Sequence, residues 1–150
     1  TAKLPHAWEF VHDRIGFNYR VPNVNAAIGC AQLERLDDFV ARKRRLAQAY
    51  IDALADVAGL RVFTEPDFAR SNYWLNLLLL DPDVADQRNA ILELCHERGI
   101  ETRPAWTPMH RLAMYADCPR MDLGVAEDLY SRVIALPSSA RLMPAPEPGY

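Results

Sequence analysis

Asn18, Tyr19 and Arg20 stand together between Gly16 and the Pro22-Asn23 pair that opens the longest helical pattern of the chain. An amide, a phenol and a guanidinium on a loop running into a helix N-terminus suit an anion. Unpaired N–H groups and the helix dipole point to the same place as the side chains. Gly16 permits unusual backbone angles and Pro22 fixes one, which gives the loop a defined approach to the helix. A second polar set comes later. Arg103 ends a short strand pattern, and Trp106 and His110 bound the turn Trp106-Thr107-Pro108-Met109-His110. Rigid aromatic loops of this kind often carry binding groups, although a lone His there reads equally well as a hydrogen-bonded structural residue.

The other reactive side chains are spaced against chemistry. His6 and His12 do not share a helix face, so no metal site is expected. Cys95 and His96 are neighbours on a predicted helix, about 100° apart around its axis, and make a poor nucleophile–base pair. There is no Gly-rich phosphate loop and no nucleophile elbow around Ser138 and Ser139. Lys3 and Lys43 are the only lysines. Lys43 falls between Val40 and Ala47 in the helical repeat and is read as snorkelling from that face. Neither amine reads as buried and activated for Schiff-base chemistry.

Several elements must position these residues. Asn23 reads as the N-cap of a helix over 24–58, with apolar residues near a 3.6 period from Ile28 to Val57 and Gly59 as its stop. Unbroken, it would be about 45 Å long, enough to link two bodies of a protein; Gly29 and Asp37 are its expected weak points. Leu60-Arg61-Val62-Phe63 predicts a short strand, and Tyr73 to Leu80, apolar on both faces, a central one. A helix follows over Val84 to Arg98, with Ile91, Leu92, Leu94 and Cys95 inward and Gly99 after its end. Ile100 to Arg103 begins a strand that Pro104 cuts short. Short helices over Arg111–Tyr115 and Val125–Ser131 precede a last strand, Val133 to Leu136. The order predicts an α/β fold, an α+β sandwich in which helices cover one side of a small mixed sheet.

Composition narrows the class. The chain has 150 residues, half of them hydrophobic, and a net charge of −3. That balance gives no field for nucleic acid, and the acids beside Arg42-Lys43-Arg44-Arg45 make that run a solvated face. No apolar run approaches the roughly 20 residues of a membrane span. Three widely spaced cysteines fit a reducing compartment, so a cytoplasmic protein is expected. A start at Thr1 and the Pro-rich stretch Met143 to Tyr150 read as a fragment of a longer protein.

Taken together, these words resemble one family. Gly16-Phe17-Asn18-Tyr19-Arg20, Asn25-Ala26-Ala27-Ile28-Gly29, Gln32-Leu33, Gly99-Ile100-Glu101-Thr102-Arg103-Pro104, Pro108-Met109-His110 and Leu136-Pro137 are similar to the C-terminal part of the DegT/DnrJ/StrS-type sugar aminotransferases. Pro5 to Asp13 resembles the subgroup that makes legionaminic-acid-like or perosamine-like nucleotide sugars. The resemblance implies a fold type I enzyme using pyridoxal phosphate. It implies an amino group passed from a donor such as glutamate to a nucleotide-linked keto sugar, in a homodimer with its active site at the subunit boundary. It further implies that Asn18 and Arg20 meet the cofactor phosphate, and that Tyr19, Arg103, Trp106 and His110 lie on the substrate side. Residues 1–23 would be a loop segment on the large-domain, active-site side and 24–58 a long linking helix. Residues 59–150 would form the small domain, with an irregular tail over 137–150. The lysine that holds the cofactor in this family lies upstream of the region matching Thr1. No catalytic residue is therefore assigned here, and the chain alone is expected not to transaminate. The competing expectation is a non-catalytic α/β module that dimerises through its long helix and binds a small anion.

Overall fold

The computed structural model describes residues 3–4, 6–9, 11–17 and 19–144. The Leu-rich run in mid-chain forms the central strand β4, Asn76–Leu80. Two further strands flank it, β3 (Leu60–Val62) on one side and β6 (Val133–Leu136) on the other. The outermost strand, β5 (Arg103–Pro104), pairs with β6, giving the order β3-β4-β6-β5. Leu78 and Leu80 face Ile134 and meet Leu92 of helix α3 (Arg88–Glu97) in the core. Leu54, Leu60, Val62, Val84 and Ile91 pack around them. Leu94, expected to face inward, is instead exposed.

The expected class, helices on a small sheet, is the one found. The sheet, however, is not mixed: every pairing among the described residues is antiparallel. Helix α3 carries the chain from β4 to β5, which run in the same direction, but β6 inserts between them. This split β-α-β arrangement replaces the parallel contact implied by strand–helix–strand order with two antiparallel ones. Strand β4 also begins later than its apolar run. Tyr73 has φ 47°, a left-handed turn that a ladder cannot continue.

The helical stretch over 24–58 divides into α1 (Asn23–Leu33) and α2 (Leu36–Leu54). Arg35 leaves the helical region (φ −112°, ψ 10°), and its N–H turns back to the Gln32 carbonyl at 3.1 Å. The break has two causes. Leu46 and Ala47 anchor α2 in the interior, whereas no residue of α1 is buried, so packing does not hold the two on one axis. Asp37 and Asp38 then favour a fresh helix start, where the dipole is positive, and Asp38 pairs with Arg42 at 2.7 Å. Helix α2 ends before Gly59, which lies beyond it in a left-handed turn (φ 81°). Gly99 does sit just past α3, with φ 73° and its N–H on the His96 carbonyl.

The ends of the chain are tied to this body. Strands β1 (Lys3–Leu4) and β2 (Val11–His12) form a small hairpin where a loop was expected. Between them Trp8 packs on the core, edge-on to His96 with centroids 5.8 Å apart. After β6, Ala140–Leu142 form a 3₁₀ turn seated on α2, so the expected irregular tail is partly structured; residues 145–150 lie outside the described residues. Helix α4 (Gly124–Arg132) completes the chain order. No helix among the described residues is long and apolar enough to cross a membrane.

Candidate functional site

Of the six residues singled out by sequence, the five described ones fall in three places. The first is the entry to α1. Pro22, not Asn23, occupies the cap position, and its carbonyl accepts the Ala26 N–H at 3.0 Å. No side chain among the described residues caps this end, and its first turn holds no acid. The leading N–H groups are therefore left for an external acceptor. Arg20, two residues before Pro22 in the chain, is exposed. Tyr19 is 88% exposed and stacks on Phe17 at 6.0 Å. Asn18 lies outside the described residues. An uncapped, acid-free helix start with an exposed arginine two residues upstream fits a phosphate group.

The second place is a cavity of about 640 Å³ on the face of the sheet away from α3. Strand alternation builds its floor. Arg103 pairs with Ala135, Ala135 with Leu77, and the Phe63 N–H reaches the Leu77 carbonyl at 2.8 Å, a row running straight across the strands. Trp74 and Trp106 form a wall, stacked with centroids 5.7 Å apart and planes 23° from parallel. Arg103 also donates from Nη1 to the Trp8 carbonyl at 3.2 Å, which ties the cavity edge to the hairpin. Arg103 and Trp106, singled out by sequence, line this cavity together with Phe63, Tyr73 and Trp74, which the sequence pattern places in strands with no binding role.

Two polar clusters hold the wall from behind. Arg44 donates to both Glu65 oxygens at 2.9 and 2.5 Å and to the Ser71 carbonyl at 2.6 Å, and the Ser71 N–H donates to Glu65 at 2.5 Å. This hub closes the loop over 65–73, and its cations hold the Glu65 carboxyl far below its ordinary value, at about 2. The second cluster corrects the reading of Lys43. Its ammonium does not snorkel outward; it turns inward and donates to the carbonyls of Trp74, at 3.1 Å, and Ser138. Burial pulls its pKa below the usual lysine value. Tyr50 adds a bond to the Pro137 carbonyl at 2.9 Å.

Each cluster makes a prediction. Glu65 is depressed in the folded state, so its ionised form stabilises the loop above pH 4.5, and that contribution is lost as pH falls toward about 2. The protection factor of the Ser71 amide should fall through that window, and E65Q should be weakly protected throughout and lose the pH step. Lys43→Met leaves two carbonyls without a donor and should destabilise the fold by about 1–2 kcal/mol. It should also weaken the exciton couplet of the Trp74–Trp106 pair in circular dichroism, because Trp74 loses its anchor. An unchanged couplet would mean that the pair holds itself.

His110 occupies the third place. Its Nε2 donates to Glu127, which Arg111 also grips through both oxygens, at 3.0 Å for Nε. The Arg111 guanidinium sits 4.8 Å from the Tyr130 ring centroid. Arg111, with His110 behind it, lowers the Glu127 pKa. An ionised carboxylate only accepts, so Nε2 carries a proton and Nδ1 is the nitrogen left for a ligand. His110 does not line the cavity that holds Trp106, so sequence proximity did not translate into a shared wall.

The model of the DegT/DnrJ/EryC1/StrS aminotransferase family matches residues 3–146. A putative pyridoxal phosphate-dependent aminotransferase, EpsN of Bacillus subtilis (strain 168), is 36% identical over 140 residues, covering 91% of this chain and 36% of that protein. GDP-perosamine synthase of Escherichia coli O157:H7 is 38% identical over 130 residues, covering 87% of this chain and 34% of that protein. The chain thus spans about a third of the length of these curated relatives. Among solved structures, DesI in the presence of its TDP-sugar product superposes with TM-score 0.71 at 28% identity, covering 78% of this chain and 30% of that one.

Proposed function

This chain belongs to the DegT/DnrJ/EryC1/StrS aminotransferase family, and on that premise we propose that its protein moves an amino group onto a nucleotide-linked keto sugar. The cofactor of that reaction is pyridoxal phosphate, as in the relatives. When bound, it supplies the electron sink and carries the amino group between donor and acceptor. Arg20 and the N–H groups at the start of α1 hold its phosphate, and the resemblance adds Asn18. This uncapped, acid-free helix start, with an exposed arginine two residues upstream, is the observation that carries the reading. Arg103, Trp106, Tyr19 and His110 serve the sugar-nucleotide side. Glutamate is the donor, the enzyme is a cytoplasmic homodimer with its sites at the subunit boundary, and the aminated sugar enters polysaccharide synthesis.

Lys43 does not serve as the reactive amine, because two carbonyls already engage it. A chain of these 150 residues alone should therefore not turn over. The test incubates the intact protein with pyridoxal phosphate, glutamate and a GDP- or TDP-linked keto sugar. The expected result is 2-oxoglutarate in step with an aminated sugar; its absence with both nucleotides overturns the reading. One observation favours the second reading, a non-catalytic dimerisation module. Helix α1 buries no residue, and 11-residue helices rarely persist unpacked in water. Dimerisation of this chain without any cofactor binding by the intact protein would favour it.

A further inference from the structure

Residues 105–123, between β5 and α4, join no strand, and none of them is buried. Their regular structure is two 3₁₀ turns, Met109–Arg111 and Ala113–Tyr115. The backbone hydrogen bonds there are short in range. The Arg111 N–H reaches the Pro108 carbonyl at 2.9 Å, the Tyr115 N–H that of Leu112 at 2.9 Å, and the Cys118 N–H that of Tyr115 at 3.1 Å. Turns of this length do not keep their shape unaided. One tie to the body runs through α4. Glu127 accepts from His110 Nε2 and from Arg111 Nε and Nη2, so a single carboxylate grips two consecutive residues from 17 and 16 positions away. Helix α4 is itself anchored: Arg132 donates to the Leu80 carbonyl at 2.7 Å, and Arg88 to the Tyr130 carbonyl at 2.6 Å. Another tie lies at the start of the segment, where Trp106 stacks on Trp74 in the cavity wall.

We propose that residues 106–123 form a strap that opens and closes as a unit, with Glu127 as its latch and Trp106 as the part that moves the cavity wall. Latched, His110 and Arg111 are drawn onto α4, and Trp106 lies against Trp74. Released, the 3₁₀ turns lose their support and Trp106 leaves its partner, which widens the cavity on the β5 side. Trp74 stays, because Lys43 holds its carbonyl and the Arg44–Glu65 hub closes the loop before it. The placement of the latch suits reversible opening. The Glu127 side chain is 29% exposed and that of Arg111 48%, so water takes over their bonds when they part and no buried polar group is left unmatched. The Leu78–Leu92–Ile134 core has no such option, since opening it exposes apolar surface. A segment with no buried side chain and only short-range backbone bonds belongs to the part of a fold that opens first.

Hydrogen exchange of the intact protein, free of donor, cofactor and sugar, tests the strap. The Trp74–Trp106 exciton couplet, isolated as the difference from W74F, is read in parallel. In E127Q the new amide sets a donor against donors. Exchange at the Arg111, Leu112, Tyr115 and Cys118 amides should rise about tenfold or more, as expected for loss of a hydrogen bond to a charged group. The couplet should weaken, while amides of β4 and α3 keep their rates. R111A should act in the same direction by a smaller factor, because His110 still holds the carboxylate. Unchanged exchange over 106–118 in both variants overturns the inference. So does faster exchange that extends equally to β4 and α3, which would make Glu127 a support of the whole fold. An intact couplet beside a freed strap overturns it too, since the wall would not follow the strap. With no donor, cofactor or sugar present, failure of amino transfer leaves this inference standing, and failure here leaves amino transfer untouched.

Discussion

Leu92→Ala is expected to destabilise this fold by about 3–4 kcal/mol, the largest single effect we foresee on stability. Leu92 is fully buried and is the α3 member of the core cluster with Leu78, Leu80 and Ile134. Truncation removes its transfer free energy and leaves a void that strands on one side cannot fill, because their register is fixed by pairing on both edges of β4. Urea unfolding followed by circular dichroism gives the value. Leu94→Ala, two residues along the same helix but exposed, is the control and should stay within about 0.5 kcal/mol. Equal losses at the two positions would mean that α3 packs on a different face. The same experiment bears on the cavity. A large shift at Leu92 with an unchanged Trp74–Trp106 couplet would show that the two faces of the sheet are energetically separate.

In the intact protein, Arg20→Ala is expected to weaken pyridoxal phosphate by about ten- to a hundredfold, the loss of one charge-assisted contact to phosphate. Arg20 is exposed two residues before Pro22, and no described side chain caps the N–H groups of the helix start. Among residues 19–26 it is the one charged side chain. R20K should recover part of the affinity, as a point charge without the bidentate fork. Cofactor titration by absorbance reads the result. If cofactor affinity holds while the KM for the nucleotide sugar rises, Arg20 serves the substrate phosphate instead. If neither moves, the α1 entry is not the phosphate site. Adding an acid at the same helix start, Asn23→Asp, should oppose the anion and move affinity in the same direction by a smaller factor.

Some of this was legible in the residues and some was not. The run from Leu77 to Leu80 announced a central strand because both faces of it are apolar, and Gly99 announced a helix stop because only glycine takes φ 73° without strain. The Gly16 to Leu33 wording pointed to the family, and the comparison bears that out. The break at Glu34–Arg35 falls two residues from Asp37, one of the expected weak points, although the 3.6 period continues through it. Burial of Leu46 and Ala47 in α2, with no buried residue in α1, and the acids Asp37 and Asp38 separate the two helices. The antiparallel sheet was not legible, since strand order is decided by where β6 inserts, not by the sequence of elements.

For the site, sequence alone determined the local part: a loop with Tyr19 and Arg20 entering a helix, and Arg103 and Trp106 close together at a strand end. Those features depend on backbone preferences and dipoles acting over a few residues. Only the tertiary structure decided which side chains share a space. It set Trp74 against Trp106 and sent His110 to Glu127, 17 positions on, and Lys43 to Ser138, 95 positions on. Such pairs follow from the pairing and packing of the whole sheet, in which each side chain takes whatever partner the burial of the core brings within reach.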